Sequence, residues 1–109
     1  MDSGRVLCSH LVQVRIDGAE RAPEWANLEE LDAFGAVLGS EREWPTQVEI
    51  VIETEGFRAP AFVQSCRRRE TDHALVVEFT GGFRWDPEAW RPDHAYAAPA
   101  QTKSAKAGG

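Results

Sequence analysis

Residues 28–38 read Leu28-Glu29-Glu30-Leu31-Asp32-Ala33-Phe34-Gly35-Ala36-Val37-Leu38. This stretch is typical of a strand, a tight turn at Gly35 and a second strand, with acidic side chains where the chain bends. Gly35 is expected to supply the positive φ that such a turn requires. Because Leu28, Leu31 and Phe34 are spaced by three, the stretch also fits the start of a helix, but the glycine and the β-rich flanking sequence favour strand–turn–strand.

The flanking sequence shows the two-residue period of strands with one buried face. Pairs of residues that favour turns separate the runs, as at Asp17-Gly18, Glu55-Gly56 and Gly81-Gly82. The predicted strands are residues 8–17, 21–31, 34–39, 47–54, 57–69 and 73–80. Short strands joined by tight turns predict an all-β fold, a closed or nearly closed six-stranded antiparallel barrel, because closure removes exposed strand edges.

The two ends of the chain differ from the barrel segment. Residues 1–5 are expected to form a flexible N-terminus, and residues 97–109, which are small and polar without a period, a disordered tail. Residues 6–96 are then a single domain. Near its end, Asp86 is a favourable N-cap and Pro92 stops helix propagation, so a short C-terminal helical turn is predicted.

The composition is that of an acidic protein. The 109 residues carry a net charge of −6, which disfavours nucleic acid and anionic membrane surfaces as partners. The most apolar early stretch, residues 6–16, is interrupted by polar residues, so neither membrane insertion nor a signal sequence is expected. We therefore expect a cytoplasmic protein, in which Cys8 and Cys66 are free thiols.

Taken together, these features resemble the PilZ domain family, whose members are six-stranded barrels that bind the bacterial second messenger cyclic di-GMP. The family carries an RxxxR motif near the N-terminus and a D/NxSxxG motif between the second and third strands. The segment Glu30-Leu31-Asp32-Ala33-Phe34-Gly35 occupies the second position. Looser matches are residues 63–66 with 76–79, and residues 83–94, so the resemblance covers residues 6–96.

The resemblance implies a bacterial signalling or regulatory module in which Arg5, Glu30, Asp32 and Gly35 are the ligand-binding residues. The chain departs from the family pattern at most of these positions. Only Arg5 matches an arginine of the first motif, Glu30 replaces the Asp or Asn, and Asp32 replaces the Ser. Each carboxylate about 4 Å from a phosphate costs about 1–4 kcal/mol, and a lost arginine contact costs about 1.5–3 kcal/mol more.

These terms favour a degenerate module that acts by protein–protein interaction and requires no cofactor. Its predicted partner-binding surface is rich in arginine and tryptophan, the residues enriched at interaction hot spots. The residues of this surface are Arg67, Arg68, Arg69, Arg84, Trp85, Trp90 and Arg91. The alternative is a functional cyclic di-GMP receptor that uses altered contact residues.

A third hypothesis is a small metal- or thiol-dependent enzyme. Cys8 and His10 would lie on the same strand face, and Cys66 and His73 would complete the site. No CxxC or HxxxH spacing supports a metal centre, and no nucleophile turn supports a hydrolase. We therefore expect neither a metal nor an enzymatic activity.

Overall fold

The computed structural model describes residues 4–97 and shows a closed antiparallel barrel of six strands with one short additional strand. The strands are β1 (Val6–Ile16), β2 (Glu24–Leu31), β3 (Gly35–Ser40), β4 (Glu49–Thr54), β5 (Phe57–Arg68), β6 (His73–Phe79) and β7 (Tyr96–Ala97). All six predicted strands are confirmed. The largest difference in a strand end is at β2, which begins at residue 24 rather than 21.

The strands follow the order β2-β3-β6-β5-β4-β1-β7, and pairing of β1 with β2 closes the barrel. β4 pairs with the C-terminal part of β1, where Ile16 is opposite Ile50. β7, which the sequence pattern did not predict, pairs with the N-terminal end of β1, where Val6 is opposite Ala97. β7 therefore covers a part of the β1 edge that β4 does not reach.

The core consists of the side chains that alternate inward along the strands. The largest fully buried ones are Leu28, Leu31, Leu38, Ile50, Ile52, Leu75, Val12, Val14 and Val63. Two loop tryptophans join this core. Trp44 donates its indole N–H to Ser40 at the end of β3, whereas Trp85 lies beside Ala33 just before β3 begins. The two indoles therefore cover opposite ends of the barrel.

Residues 87–89, after β6, form a turn, and residues 4–97 contain no helix, hence none of the length and apolar character needed to cross a membrane. Asp86 caps this turn as predicted: its carboxylate accepts the Glu88 N–H at 2.9 Å and its carbonyl accepts the Ala89 N–H at 2.9 Å. Ala97, the first residue of the predicted tail, belongs to β7. The other tail residues, 98–109, and residues 1–3 lie outside the described part of the chain.

Candidate functional site

The turn between β2 and β3 is held together by one carboxylate. Asp32 accepts the backbone N–H groups of Phe34 at 2.8 Å and Gly35 at 2.9 Å through the same oxygen. Its own N–H donates to the Gly35 carbonyl at 3.0 Å. An Asp side chain that bonds the backbone two and three residues ahead pre-forms a turn. Asp32 therefore has a local structural role that its sequence position alone did not reveal.

Gly35 is required for a close approach of two strands. It has no positive φ, so the expectation drawn from the sequence was wrong. A Cβ atom built on Gly35 would lie 2.3 Å from the backbone carbonyl oxygen of Val77 in β6. The absence of a side chain thus lets the start of β3 pack directly against β6.

Arg5 is engaged by the first carboxylate of the motif segment. Its Nη1 lies 2.6 Å from Oε1 of Glu30, and about a third of each side chain is exposed. The adjacent backbone pairing, Leu7 opposite Glu30, holds the two residues in this relation. The guanidinium that the family resemblance assigns to a phosphate is therefore paired with a carboxylate of the same chain.

A single groove of about 270 Å³ on the outer face of the barrel contains all four sequence-predicted ligand residues. We call this the outer groove. Its side chains come from the β1 and β2 ends, the β2–β3 turn and the outward faces of β3, β5 and β6. The lining residues include Arg5, Glu30, Asp32, Phe34, Gly35, Val37, Gln64, Val76 and Glu78. The structure therefore brings together the predicted residues and adds a wall that sequence analysis missed.

The missed wall consists of Gln64, Val76 and Glu78. A β-bulge interrupts the β5–β6 register at Gln64, and the Gln64 amide donates to the Glu78 carboxylate at 3.0 Å. Bulges of this kind re-aim a side chain and often occur next to functional sites. The predicted strand at residues 73–80 includes Val76 and Glu78, but only the strand register places them beside the turn.

The outer groove is acidic. Its lining carries one guanidinium, Arg5, against the carboxylates of Glu30, Asp32 and Glu78, which gives a formal charge of +1 − 3 = −2. Phe34, which lines the groove, is 61% exposed. The Arg84 guanidinium carbon lies 4.7 Å from the centroid of the Phe34 ring. A surface of this kind attracts cations and repels phosphate groups.

The residues predicted to form one partner surface are separated by the fold. Arg67 and Arg68 pair with the start of β6, opposite Ala74 and His73, and Arg84 follows its other end. The seven residues of β6 span about 20 Å, so the two groups of arginines lie toward opposite ends of this strand.

The tryptophans of the predicted surface also differ from one another. Trp85 is 5% exposed and belongs to the core. Trp90 is half-buried and stacks on Phe57 with ring centroids 4.4 Å apart. Arg84 and Arg91 are exposed. The basic side chains of this segment are therefore accessible, whereas its tryptophans mainly stabilise the barrel.

Arg69 is fully engaged in an ion-pair network. It makes paired hydrogen bonds to Glu29 at 3.0 Å and to Asp72 at 2.7 Å. These bonds raise the pKa of Arg69 and lower the pKa of Asp72. Gly39 leaves the space for the network, because a Cβ there would lie 2.3 Å from a Glu29 oxygen. Arg69 thus joins β2 to the β5–β6 turn.

Cys8, His10 and Cys66 do not converge on one point. The Cys8 thiol contacts the Leu28 carbonyl at 3.4 Å, and the Cys66 sulfur accepts the Trp44 N–H at 3.5 Å. His10 accepts the Asp93 N–H at 2.9 Å. Within residues 4–97, no group of three or more His, Cys, Asp or Glu side chains is placed to hold a metal ion.

The Cys8 thiol is also unsuited to nucleophilic chemistry. Burial, followed by the negative charges of Glu29 and Glu30, raises its pKa to about 11. A thiol with this pKa is almost entirely protonated at neutral pH, and the thiolate is the reactive form. A β-bulge places Cys8 and Ser9 together opposite Glu29, which brings the thiol near these carboxylates.

Fold and site together define an all-β barrel with an acidic groove on its outer face. Comparison with protein-family models, curated proteins and solved structures gives no significant match. The relation to PilZ domains therefore stays a prediction.

Proposed function

We propose that this chain is a PilZ-like bacterial regulatory module that acts by binding a protein partner instead of cyclic di-GMP. Three features support the relation to PilZ domains. The fold is the six-stranded barrel that the resemblance implied, and the motif segment forms the turn between β2 and β3. In addition, Arg5, Glu30, Asp32 and Gly35 line one groove.

The main support for a loss of cyclic di-GMP binding is the ion pair between Arg5 and Glu30, in which Nη1 and Oε1 are 2.6 Å apart. A phosphate that approached Arg5 would have to displace Glu30 or share the guanidinium with it. A carboxylate left about 4 Å from a phosphate costs about 1–4 kcal/mol. Asp32 adds a second negative charge where the family has a hydroxyl, and its oxygen already holds two backbone amides.

Calorimetric titration with cyclic di-GMP at moderate salt tests whether the chain has lost nucleotide binding. We expect no binding by the wild-type chain at ligand concentrations up to about 100 μM. The Glu30→Gln variant removes the Arg5–Glu30 ion pair and one negative charge, so any gain of affinity should appear there and disappear in Glu30→Gln/Arg5→Ala. Glu70→Gln, which removes a charge from the exposed β5–β6 turn, is the matched control.

The competing proposal, a functional cyclic di-GMP receptor, is favoured by the convergence of all four motif residues on one groove. It predicts wild-type binding tighter than about 10 μM that Arg5→Ala abolishes. That result would overturn the degenerate interpretation. It would also show that Arg5 contributes to ligand binding despite its ion pair with Glu30.

A further inference from the structure

We propose that the outer groove binds an extended basic peptide segment of the partner, with an arginine or lysine seated between Phe34 and Glu78. This inference rests on the proposed function, because it names the chemistry of the protein partner. Three observations support it: the apolar floor of the groove, the negative charge of the groove, and the contact of the Arg84 guanidinium with the Phe34 ring.

The floor of the groove is an unpartnered stretch of the outer sheet face. Val37 lies opposite Val76 in the β3–β6 pair, and Gly35 lies opposite Glu78 in the next row. Because Gly35 has no side chain, Glu78 is the only side chain that the β3–β6 pair contributes to this row. Phe34 is 61% exposed and Val76 is 38% exposed. These apolar groups supply contact area for an aliphatic side chain or an arginine stem.

The charge of the groove selects a basic occupant. Glu30 is paired with Arg5, and Asp32 is engaged by the turn backbone. Glu78 receives a hydrogen bond from a neutral amide, Gln64. Within residues 4–97, the Glu78 carboxylate has this neutral amide and no cationic side chain as a hydrogen-bonding partner, so a cation placed beside it improves the charge balance.

Phe34 already shows the type of contact that a partner would make. The Arg84 guanidinium packs over its ring at 4.7 Å, and the ring remains largely exposed. An aromatic ring with a carboxylate nearby binds a guanidinium through both cation–π attraction and charge. Side chains on one side of an extended peptide recur about every 6.6 Å, so alternate residues can reach the floor together.

Fluorescence anisotropy with a labelled peptide Gly-Ser-Arg-Leu-Arg-Leu-Gly-Ser tests the inference on the full chain. We expect a Kd on the order of 10–100 μM at low salt and no binding of the matched peptide with glutamate in place of arginine. Glu78→Gln should weaken binding by about threefold to fivefold, and Phe34→Ala by a similar factor. Glu70→Gln, which makes the same charge change away from the groove, should leave it unchanged.

The outcomes separate this inference from the proposed function. If neither the basic peptide nor cyclic di-GMP binds, the proposed peptide site is overturned, whereas the proposed function, a module that does not bind cyclic di-GMP, is not contradicted. If cyclic di-GMP binds tightly, the proposed function fails whatever the peptide does. Binding that is equal in wild type, Phe34→Ala and Glu78→Gln would place the peptide elsewhere and overturn the site. Far stronger binding by a Lys103→Ala/Lys106→Ala variant would instead assign the groove to the chain's own C-terminal lysines.

Discussion

At the scale of single residues, Gly35 shows how a correct sequence signal can have a different physical cause. Its place in the motif segment marked it as important. The expected reason was a turn with positive φ, but the actual reason is the backbone of β6, which lies too close for any side chain. That neighbour is more than 40 residues away along the chain. No local pattern reveals it, because the contact depends on strand register.

Replacement of Gly35 by alanine should therefore destabilise the barrel through a backbone clash. The added Cβ would lie 2.3 Å from the Val77 carbonyl oxygen, so β3 or β6 must shift. We expect a loss of about 2 kcal/mol in the free energy of unfolding and a decrease in Tm of about 10 °C. Thermal and denaturant unfolding followed by circular dichroism measure both.

Gly82→Ala is the matched control, because Gly82 has a φ of 76° and open space around its Cβ position. It should lose only the conformational term of about 1–2 kcal/mol, without perturbing the outer groove. A Gly35→Ala variant as stable as wild type would show that β3 and β6 separate at no cost. It would contradict the close-packing role.

At the scale of elements, the six barrel strands were predictable and the irregularities within them were not. The two-residue period marks which face of each strand is buried, so strand positions follow from the sequence. β-bulges at Cys8–Ser9 and at Gln64 have no such period. The bulge at Gln64 affects which β5 side chain lines the groove, and the bulge at Cys8–Ser9 brings the Cys8 thiol near the carboxylates of Glu29 and Glu30. The motif half of the groove was therefore predicted, whereas its β5–β6 wall was not.

The Arg69 network that joins β2 to the β5–β6 turn predicts a pH-dependent contribution to stability. Hydrogen bonding to Arg69 lowers the pKa of Asp72 below its ordinary value of 3.8. A carboxyl group with a lowered folded-state pKa stabilises the protein above its ordinary pKa, and this contribution is lost as the pH falls through the folded-state value. Asp72→Asn should thus be less stable than wild type at pH 7, and the difference should vanish well below pH 3.8.

Paired unfolding curves of wild type and Asp72→Asn across this pH range measure the effect. Glu70→Gln removes a negative charge from the same turn and should show no comparable difference in stability, because the Arg69 bonds are intact. A difference between wild type and Asp72→Asn that is constant with pH would contradict the linkage. It would assign the effect to the conformation of the turn instead of the ion pair.

At the scale of the whole molecule, the net charge and the position of the groove carboxylates both favour a basic partner over an anionic one. The chain carries a net charge of −6, and the outer groove adds a local excess of carboxylates. Such a field accelerates encounter with basic partners and slows encounter with nucleic acid or free nucleotides. From composition alone, the sequence predicted that nucleic acid is disfavoured as a partner. It could not show that the length of β6 separates the arginine triplet from Arg84 and Arg91, and the role of these arginines in partner binding stays a prediction.

The closed barrel also predicts that both of its ends unfold together. Trp44 and Trp85 cover opposite ends and are each 5% exposed within one hydrophobic cluster. Since a single domain with one core unfolds cooperatively, tryptophan fluorescence and far-UV circular dichroism should give the same denaturant midpoint. The midpoints should also coincide within each of the variants Trp44→Phe and Trp85→Phe, although both variants should be less stable than wild type. A fluorescence transition at lower denaturant in one variant only would show that one end opens separately, and it would contradict a single closed core.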